Sequence, residues 1–267
     1  MSLTFASTAS PRIWALAADS HFWMPENASL HGASVDWLMR VNLIALGICF
    51  LISHLLIGVA IFRRSRKAHV PTAFWMESVP MALLCLLYAW MAISAQRLWA
   101  LNRFEGASPE ALQVEVVGEQ FQWYFRYPGE DAKFGTVRPE LAEAAAGNPL
   151  GLDRRDPAAV DDIVSSEMML PAGREVDVTL RAVDVIHGFF VPAMRLKQNA
   201  VPGMTLHVHF TPEKLGEYPI LCSQVCGLGH AKMQAKLRVV SAEEYAAWLA
   251  VREAKVRAVN SAMGGSQ

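Results

Sequence analysis

Four side chains that bind soft metals lie within twelve residues near the end of the chain: Cys222, Cys226, His230 and Met233. Cysteine thiolate and methionine thioether favour copper, and imidazole binds copper as well as zinc. One Cys with His and a weak Met is the ligand set of blue-copper electron-transfer sites, and here a second Cys is added. Two thiolates can bridge two copper ions, each terminated by one His, with no open position for a substrate. The spacing therefore predicts a copper site that carries electrons.

The residue types leave two other uses of the cysteine pair open. Cys222 and Cys226 could form a disulfide in an oxidising compartment, although a disulfide does not require His230 and Met233 at these offsets. A zinc site would favour a third Cys or His over a Met. His187, upstream of this cluster, is by itself more typical of a structural histidine than of a ligand.

The composition of the 267-residue chain lies between those of soluble and membrane proteins. It is 53% hydrophobic and 18% charged, with a mean hydropathy of +0.22, whereas soluble domains are about 25% charged. Residues 1–104 carry 8 basic and 4 acidic residues, and residues 105–267 carry 16 and 21. Part of the chain is therefore expected to face lipid. The acidic remainder argues against a nucleic-acid partner and for a basic one.

Two uncharged segments predict a transmembrane hairpin over residues 41–104. Residues 41–62 form a run of 22 without Asp, Glu, Lys or Arg, long enough to cross a hydrocarbon core of about 30 Å. Residues 78–96 form a second uncharged run; a hairpin buried in a soluble core is the alternative. The link 63–73 is basic, which places it in the cytoplasm by the positive-inside rule. We therefore expect residues 1–40 to be an extracytoplasmic tail.

Beyond residue 105 apolar and polar residues alternate, as they do in half-buried strands. The alternation is clearest in three stretches separated by Pro and Gly turn signals: Val114 and Val116; Val176, Val178 and Leu180; Met204, Leu206, Val208 and Phe210. It predicts an antiparallel sandwich or small barrel over 105–240. A lobe inserted at about 129–168 is expected to pack on the surface or contact a partner. A capping-box pattern at Ser241 predicts a C-terminal helix and tail over 241–267.

These motifs together resemble subunit II of cytochrome c oxidase, which carries the dinuclear copper centre CuA of heme-copper oxygen reductases. The resemblance covers nearly everything from residue 41 onward. One of its motifs is the segment Cys222–Met233, the copper loop, and the others are Gln122-Trp123-Tyr124, Asp184-Val-Ile-His187-Gly-Phe-Phe-Val-Pro192 and Arg195-Leu-Lys197-Gln. It implies a membrane-anchored mixed fold. A two-helix transmembrane hairpin would precede an all-β cupredoxin domain, a Greek-key sandwich or barrel, with a C-terminal helix.

The resemblance also implies a role for each matching residue. Cys222 and Cys226 would bridge two copper ions, and His187 and His230 would each bind one. Met233 would be the axial ligand. The remaining ligand would be the backbone carbonyl of Gln224.

Two further residues near the centre receive roles from the resemblance. Trp123 matches the aromatic residue that accepts electrons from cytochrome c, for which we expect a solvent-facing indole near the copper loop; core packing is the alternative. Asp184 would orient His187 or its loop from outside the coordination sphere.

The chain departs from the family at two functional positions. Many members have Glu in place of Gln224, and that carboxylate also reaches a Mg²⁺ shared with subunit I; a neutral amide weakens the expectation of Mg²⁺ here. A Glu often found near the cytoplasmic mouth of a proton pathway is Ala73 in this chain. Glu77, one helical turn further in, is a candidate substitute because ionisable groups near a span are often functional. An interfacial carboxylate without a role is the alternative.

The resemblance predicts the electron-accepting subunit of an enzyme, cytochrome c oxidase, in the inner membrane of a bacterial-type cell with its copper domain on the periplasmic or extracellular side. It would take single electrons from a c-type cytochrome and pass them to heme in subunit I, where oxygen is reduced to water. Other oxidase subunits would also be partners. The sequence has no C-x-x-C-H motif for a heme on this chain. The alternatives are the CuA subunit of a nitric oxide reductase and a membrane-tethered copper carrier.

Overall fold

The structure is a computed structural model that describes residues 24–63, 74–103 and 106–264. The first 23 residues of the predicted tail lie outside the described residues. So do residues 64–73 of the predicted basic link, including Ala73.

Two long helices form the N-terminal part of the described chain. Helix α1 is Gly32–Phe62 and helix α2 is Phe74–Arg103, and both are long and apolar enough to cross a membrane. Helix α1 begins before residue 41. The helix includes Asp36 and Arg40, although these charged residues lie outside the uncharged run. Trp37 of α1 and Trp90 of α2 meet edge to face with ring centroids 6.2 Å apart. Most side chains of both helices are exposed, as expected for surfaces that face lipid.

The remainder of the chain is a β-sandwich of two five-stranded sheets. The strands are β1 Leu112–Glu119, β2 Gln122–Tyr127, β3 Ile163–Ser165, β4 Met168–Pro171, β5 Val176–Ala182, β6 His187–Val191, β7 Leu196–Ala200, β8 Leu206–Phe210, β9 Gly216–Cys222 and β10 Gln234–Val240. One sheet has the order β3-β2-β1-β5-β8 and the other β4-β10-β9-β6-β7. Apolar side chains of both sheets form one buried core. The predicted two-layer β-domain is confirmed.

Two strand pairs of the sandwich are parallel rather than antiparallel. Strand β1 pairs in parallel with β5, and β10 pairs in parallel with β4. Parallel neighbours require a long crossover rather than a hairpin, and the segment between β1 and β5 contains β2, the lobe, β3 and β4. The third predicted stretch is also shorter than expected. Met204 lies outside β8 because it directly follows the Pro202-Gly203 turn, where Gly203 has a φ of +76°.

The lobe packs on the C-terminal helix of the same chain. It contains a short helix α3, Pro157–Val160, and the C-terminal helix α4 is Ala242–Gly264. Asn260 of α4 donates to the carbonyl of Val160 at 2.7 Å and accepts from Arg154 at 2.7 Å. At the start of α4, Ser241 Oγ accepts from the backbone N–H of Glu244 at 3.1 Å. The capping box predicted the start of this helix, and the predicted C-terminal helix is confirmed.

A partly buried arginine of the β-domain contacts helix α1. Arg195 lies just after the turn Pro192–Met194 that follows β6. Its Nε and Nη2 donate to the carboxylate of Asp36 on α1 at 2.7 and 2.9 Å, and Nη2 also donates to the carbonyl of Pro25 at 2.8 Å. The end of β6 therefore leads into the contact with helix α1, and the start of β6 lies at the opposite end of the strand.

Candidate metal centre

The strand pairing brings the predicted ligands to one end of the sandwich. His187 is the first residue of β6 and Cys222 is the last residue of β9. These strands are antiparallel, with Phe189 opposite Cys222, so the start of one lies beside the end of the other. Met233 immediately precedes β10, and its carbonyl accepts from the Cys222 N–H at 3.2 Å. Residues separated by 46 positions in the sequence therefore meet at one site.

The Cys226 thiol is the central contact of the site. Its Sγ lies 3.8 Å from Cys222 Sγ, 3.7 Å from His230 Nδ1 and 3.8 Å from Met233 Sδ. The carbonyl oxygen of Gln224 lies 3.2 Å from Cys222 Sγ. The ligand atoms of His187 and the two cysteines lie within 4.8 Å of one another. The structure thus brings all six predicted ligand positions together.

The ring of His187 is held with one nitrogen free for a metal. His187 is fully buried, and its Nε2 lies 2.8 Å from Asp184 Oδ1. Its Nδ1 is buried and has no hydrogen-bond partner among the described residues. A buried polar atom without a partner is costly and needs an explanation, and a metal ion on Nδ1 would supply one. The Asp184 contact on the opposite nitrogen is the arrangement typical of a metal-binding histidine.

Asp184 also anchors the neighbouring backbone. Its carboxylate accepts from the N–H of Val185 at 2.7 Å and from the N–H of Gln120 at 2.8 Å. Burial opposes the charged form, but the hydrogen bonds from His187, Gln120 and Val185 together lower the pKa of Asp184 below its usual range. The carboxylate is thus kept ionised where it faces His187.

The donor set fits copper better than the alternatives left open by the sequence. Cys222 and Cys226 are free thiols. Metal–sulfur bonds are about 2.3 Å long, so two sulfurs on one ion lie at most about 4.6 Å apart, and the observed 3.8 Å satisfies this limit. Burial, with the Cys222 thiol beside it, raises the pKa of Cys226 to about 11, so a bound cation would have to displace this proton. The thioether of Met233 favours copper over zinc.

Trp123 does not face solvent, contrary to the sequence expectation. It is fully buried, and its ring lies edge to face against His187 and Phe189, with centroids 5.9 and 5.4 Å away. The reason is strand alternation: Trp123, Phe125 and Tyr127 are every second residue of β2 and all point into the core. This alternation was visible in the sequence.

The exposed aromatic residue beside the ligand loop is Phe121, which the sequence interpretation missed. It lies in the turn between β1 and β2 and is 39% exposed. A Cβ at Gly229 would lie 2.4 Å from its ring, so Phe121 packs directly on the backbone between Cys226 and His230. Its contact with the Gly-Leu-Gly segment of the loop joins distant parts of the chain, and no local sequence pattern predicts it. The loop residues Val225 and Leu228 are also exposed.

Glu77 lies far from this site along the chain. It is exposed in the first turn of α2, at the end of that helix nearest the basic link.

The chain is similar to known proteins of one family. Residues 112–240 match the family described as cytochrome c oxidase subunit II, periplasmic domain. The alternative cytochrome c oxidase subunit 2 of Bradyrhizobium diazoefficiens is 39% identical over 160 residues, which are 59% of this chain and 57% of the relative. The cytochrome c oxidase subunit 2 of Cereibacter sphaeroides is 29% identical over 244 residues, which are 84% of this chain and 77% of the relative.

A similar solved structure is the periplasmic domain of subunit II of cytochrome oxidase of Bradyrhizobium japonicum. It is 28% identical, with a TM-score of 0.42, and the match covers 56% of this chain and 99% of that one. The match to the curated Bradyrhizobium diazoefficiens relative spans little more than half of that relative's length. Residues 112–240 therefore match the periplasmic domain of the cytochrome c oxidase subunit II family, and the chain is similar to curated cytochrome c oxidase subunits 2.

Proposed function

We propose that this chain is the electron-accepting subunit of a heme-copper oxidase and holds a dinuclear copper centre, CuA. The observation that carries the proposal is the convergence of two thiols, two imidazoles, a thioether and a carbonyl around Cys226 Sγ. When bound, two copper ions bridged by thiolates would take up and release one electron at a time. Such a pair would leave no open position for a substrate, so the chain's role is transfer rather than oxygen chemistry.

The protein residues would do three things at this centre. Cys222 and Cys226 would lose their protons and hold the copper ions as thiolates. His187 and His230 would bind through Nδ1. The Nδ1 of His230 lies 3.7 Å from Cys226 Sγ, and the Nδ1 of His187 is buried without a hydrogen-bond partner among the described residues. The carbonyl of Gln224 and the thioether of Met233 would complete the set. Holding these donors on strand ends and a short loop would keep the geometry similar in both redox states.

Electrons would reach the centre from a c-type cytochrome through the aromatic residues beside it. Phe121 is partly exposed against the backbone of Gly227 and Gly229, and Trp123 is buried against His187. We therefore propose Trp123 as an internal step of the path and Phe121 as its surface contact. The net acidic composition of residues 105–267 would attract a basic donor, which makes electron uptake sensitive to salt.

The partner that receives the electrons would be heme in oxidase subunit I, where oxygen is reduced to water. Oxygen is proposed as the acceptor because the matched relatives are named cytochrome c oxidase subunits. The two helices would anchor the chain in a bacterial inner membrane with residues 64–73 in the cytoplasm and the β-domain in the periplasm. Glu77 would then lie near the cytoplasmic surface, where we propose that it serves a proton pathway. A Mg²⁺ at the subunit I interface would have to use the amide oxygen of Gln224.

Electron paramagnetic resonance of the copper-loaded full chain in detergent tests the proposal. We expect a spectrum in which one electron is shared equally by two coppers, and we expect Cys222→Ser or Cys226→Ser to abolish it. Cys85→Ser is the matched control, because Cys85 lies on helix α2 and should leave the spectrum unchanged. A mononuclear four-line spectrum, or no copper uptake by the wild-type chain, would refute the proposal. Oxygen consumption by the purified complex, with cytochrome as donor, tests the acceptor.

A further inference from the structure

Gln120, in the turn between β1 and β2, contacts two segments of the chain that are next to predicted copper ligands. Its backbone N–H donates to Asp184 Oδ2 at 2.8 Å, and the other oxygen of Asp184 contacts the ring of His187 at 2.8 Å. Its side-chain amide Nε2 donates to the carbonyl oxygen of Cys226. Asp184 is 64 and Cys226 is 106 residues away in the sequence. Gln120 thus connects the β5–β6 loop, which carries Asp184 and leads into His187, to the loop that carries Cys226.

The backbone at the Cys226 contact has little freedom to adjust. The next residue, Gly227, has a φ of +135°, in a region that residues with a side chain rarely adopt. A Cβ there would lie 2.9 Å from Gln120 Nε2 and 3.2 Å from the ring of Phe121. The carbonyl of Cys226 is therefore directed at Gln120 by a backbone conformation that only glycine accommodates easily.

We infer that Gln120 is a positioning residue for the copper centre, which holds the Cys226 thiol and the His187 ring in register. The inference rests on the proposed function, since it concerns the same centre. The side chain touches no ligand atom, so it acts through the Cys226 peptide and through Asp184. Contacts of this kind outside the coordination sphere typically change metal affinity about 10–100-fold when they are removed.

Two variants separate hydrogen bonding from packing. Gln120→Met keeps the length of the side chain but cannot donate, and Gln120→Glu keeps its shape but presents a carboxylate to the Cys226 carbonyl. Gln122→Met is the matched control, because Gln122 is an exposed glutamine at the other end of the same turn. Each full chain is purified in detergent, loaded with copper, and compared with wild type by its paramagnetic resonance spectrum and by the rate of copper loss to a chelator. The melting temperature of each copper-free chain is measured in parallel.

We expect both Gln120 variants to lose copper about tenfold faster than wild type and to show an altered spectrum, with copper-free melting temperatures close to wild type and Gln122→Met unchanged. Wild-type spectrum and release from either Gln120 variant would overturn the inference. So would an equal fall in the copper-free melting temperature of both variants, since that describes a general role in folding. If Gln120→Met alone fails to fold, the release rate of Gln120→Glu decides. A wild-type chain without the shared-electron signal would refute the proposed function itself.

Discussion

Replacing Phe121 and Trp123 by alanine should separate a surface contact from a core residue. Trp123 has no exposed surface and contacts both His187 and Phe189. Truncating a buried Trp to Ala costs about 3–5 kcal/mol, because burial is lost and a cavity remains. Phe121 is 39% exposed, so its truncation removes only part of the roughly 1.5–3 kcal/mol of a fully buried Phe. The gap between the two variants should be about 2 kcal/mol or more.

The two variants should also differ in their effects on electron uptake and on the copper spectrum. Phe121→Ala should slow electron uptake from a reduced c-type cytochrome while leaving the copper spectrum intact, because the ring packs on the backbone at Gly227 and Gly229. Phe121→Tyr keeps a ring at the surface and serves as the control. Trp123→Ala should disturb the copper spectrum as well, since a wall of the His187 ring is removed.

Two measurements on the same preparations decide the matter. Thermal unfolding followed by circular dichroism should show a fall of about 10 °C for Trp123→Ala, at roughly 2–4 °C per kcal/mol for a domain of this size. Stopped-flow mixing of the purified oxidase complex with reduced cytochrome gives the uptake rate. The reasoning is refuted if Phe121→Ala takes up electrons at the wild-type rate. It is equally refuted if Trp123→Ala stays within about 1 kcal/mol of wild type with an unchanged spectrum.

Three other perturbations test separate parts of the structure. Gly188→Ala should abolish copper uptake in a folded chain, measured by metal analysis, because its Cβ would lie 2.3 Å from Ser223 Oγ and 2.8 Å from the backbone N of Gln224; normal uptake would contradict this. Glu77→Gln should slow proton uptake by the assembled oxidase without changing the copper spectrum, and equal proton uptake would remove Glu77 from the pathway. Burial outweighs the Arg126 contact and raises the pKa of Asp162 from 3.8 to about 6, so its contribution to stability is present below about pH 4 and is lost as the pH rises through 6. Unfolding titrations should therefore show wild type losing up to about 3 kcal/mol relative to Asp162→Asn between pH 4 and 7, and parallel pH profiles would contradict this.

The ligand set could be predicted from the sequence because most of its chemistry is local. Four of the side chains lie within one twelve-residue segment, and thiol, imidazole and thioether together point to one class of metal. The two apolar helices could be predicted equally well, since the absence of charge over about 20 residues is read directly from the sequence. Helix α1 nevertheless begins earlier than its uncharged run, because a helix can include Asp36, whose charge is paired with Arg195.

What the sequence did not provide is the set of contacts between distant segments. Alternation along β2 identifies the buried face, and reading it would have placed Trp123 in the core. No pattern of that kind indicates that β1 pairs in parallel with β5, since strand pairing depends on how all ten strands bury their apolar faces together. Because Gln120 follows β1 and Asp184 follows β5, this pairing brings Gln120 to Asp184. The contact of Gln120 with the Cys226 carbonyl is a further contact, between the two sheets. It joins a surface turn to a loop that is 106 residues away.

Strand β6 connects the candidate metal centre mechanically to the anchor. Its first residue is His187, and the turn that follows its last residue leads to Arg195, which is bound to Asp36 on helix α1. At about 3.3 Å per residue, the four steps from His187 to Val191 span roughly 13 Å. The copper ligands are thus held at the end of the sandwich remote from the Arg195 contact. In the proposed oxidase, the anchored helix and a strand of fixed length would together set how far the centre stands from the membrane.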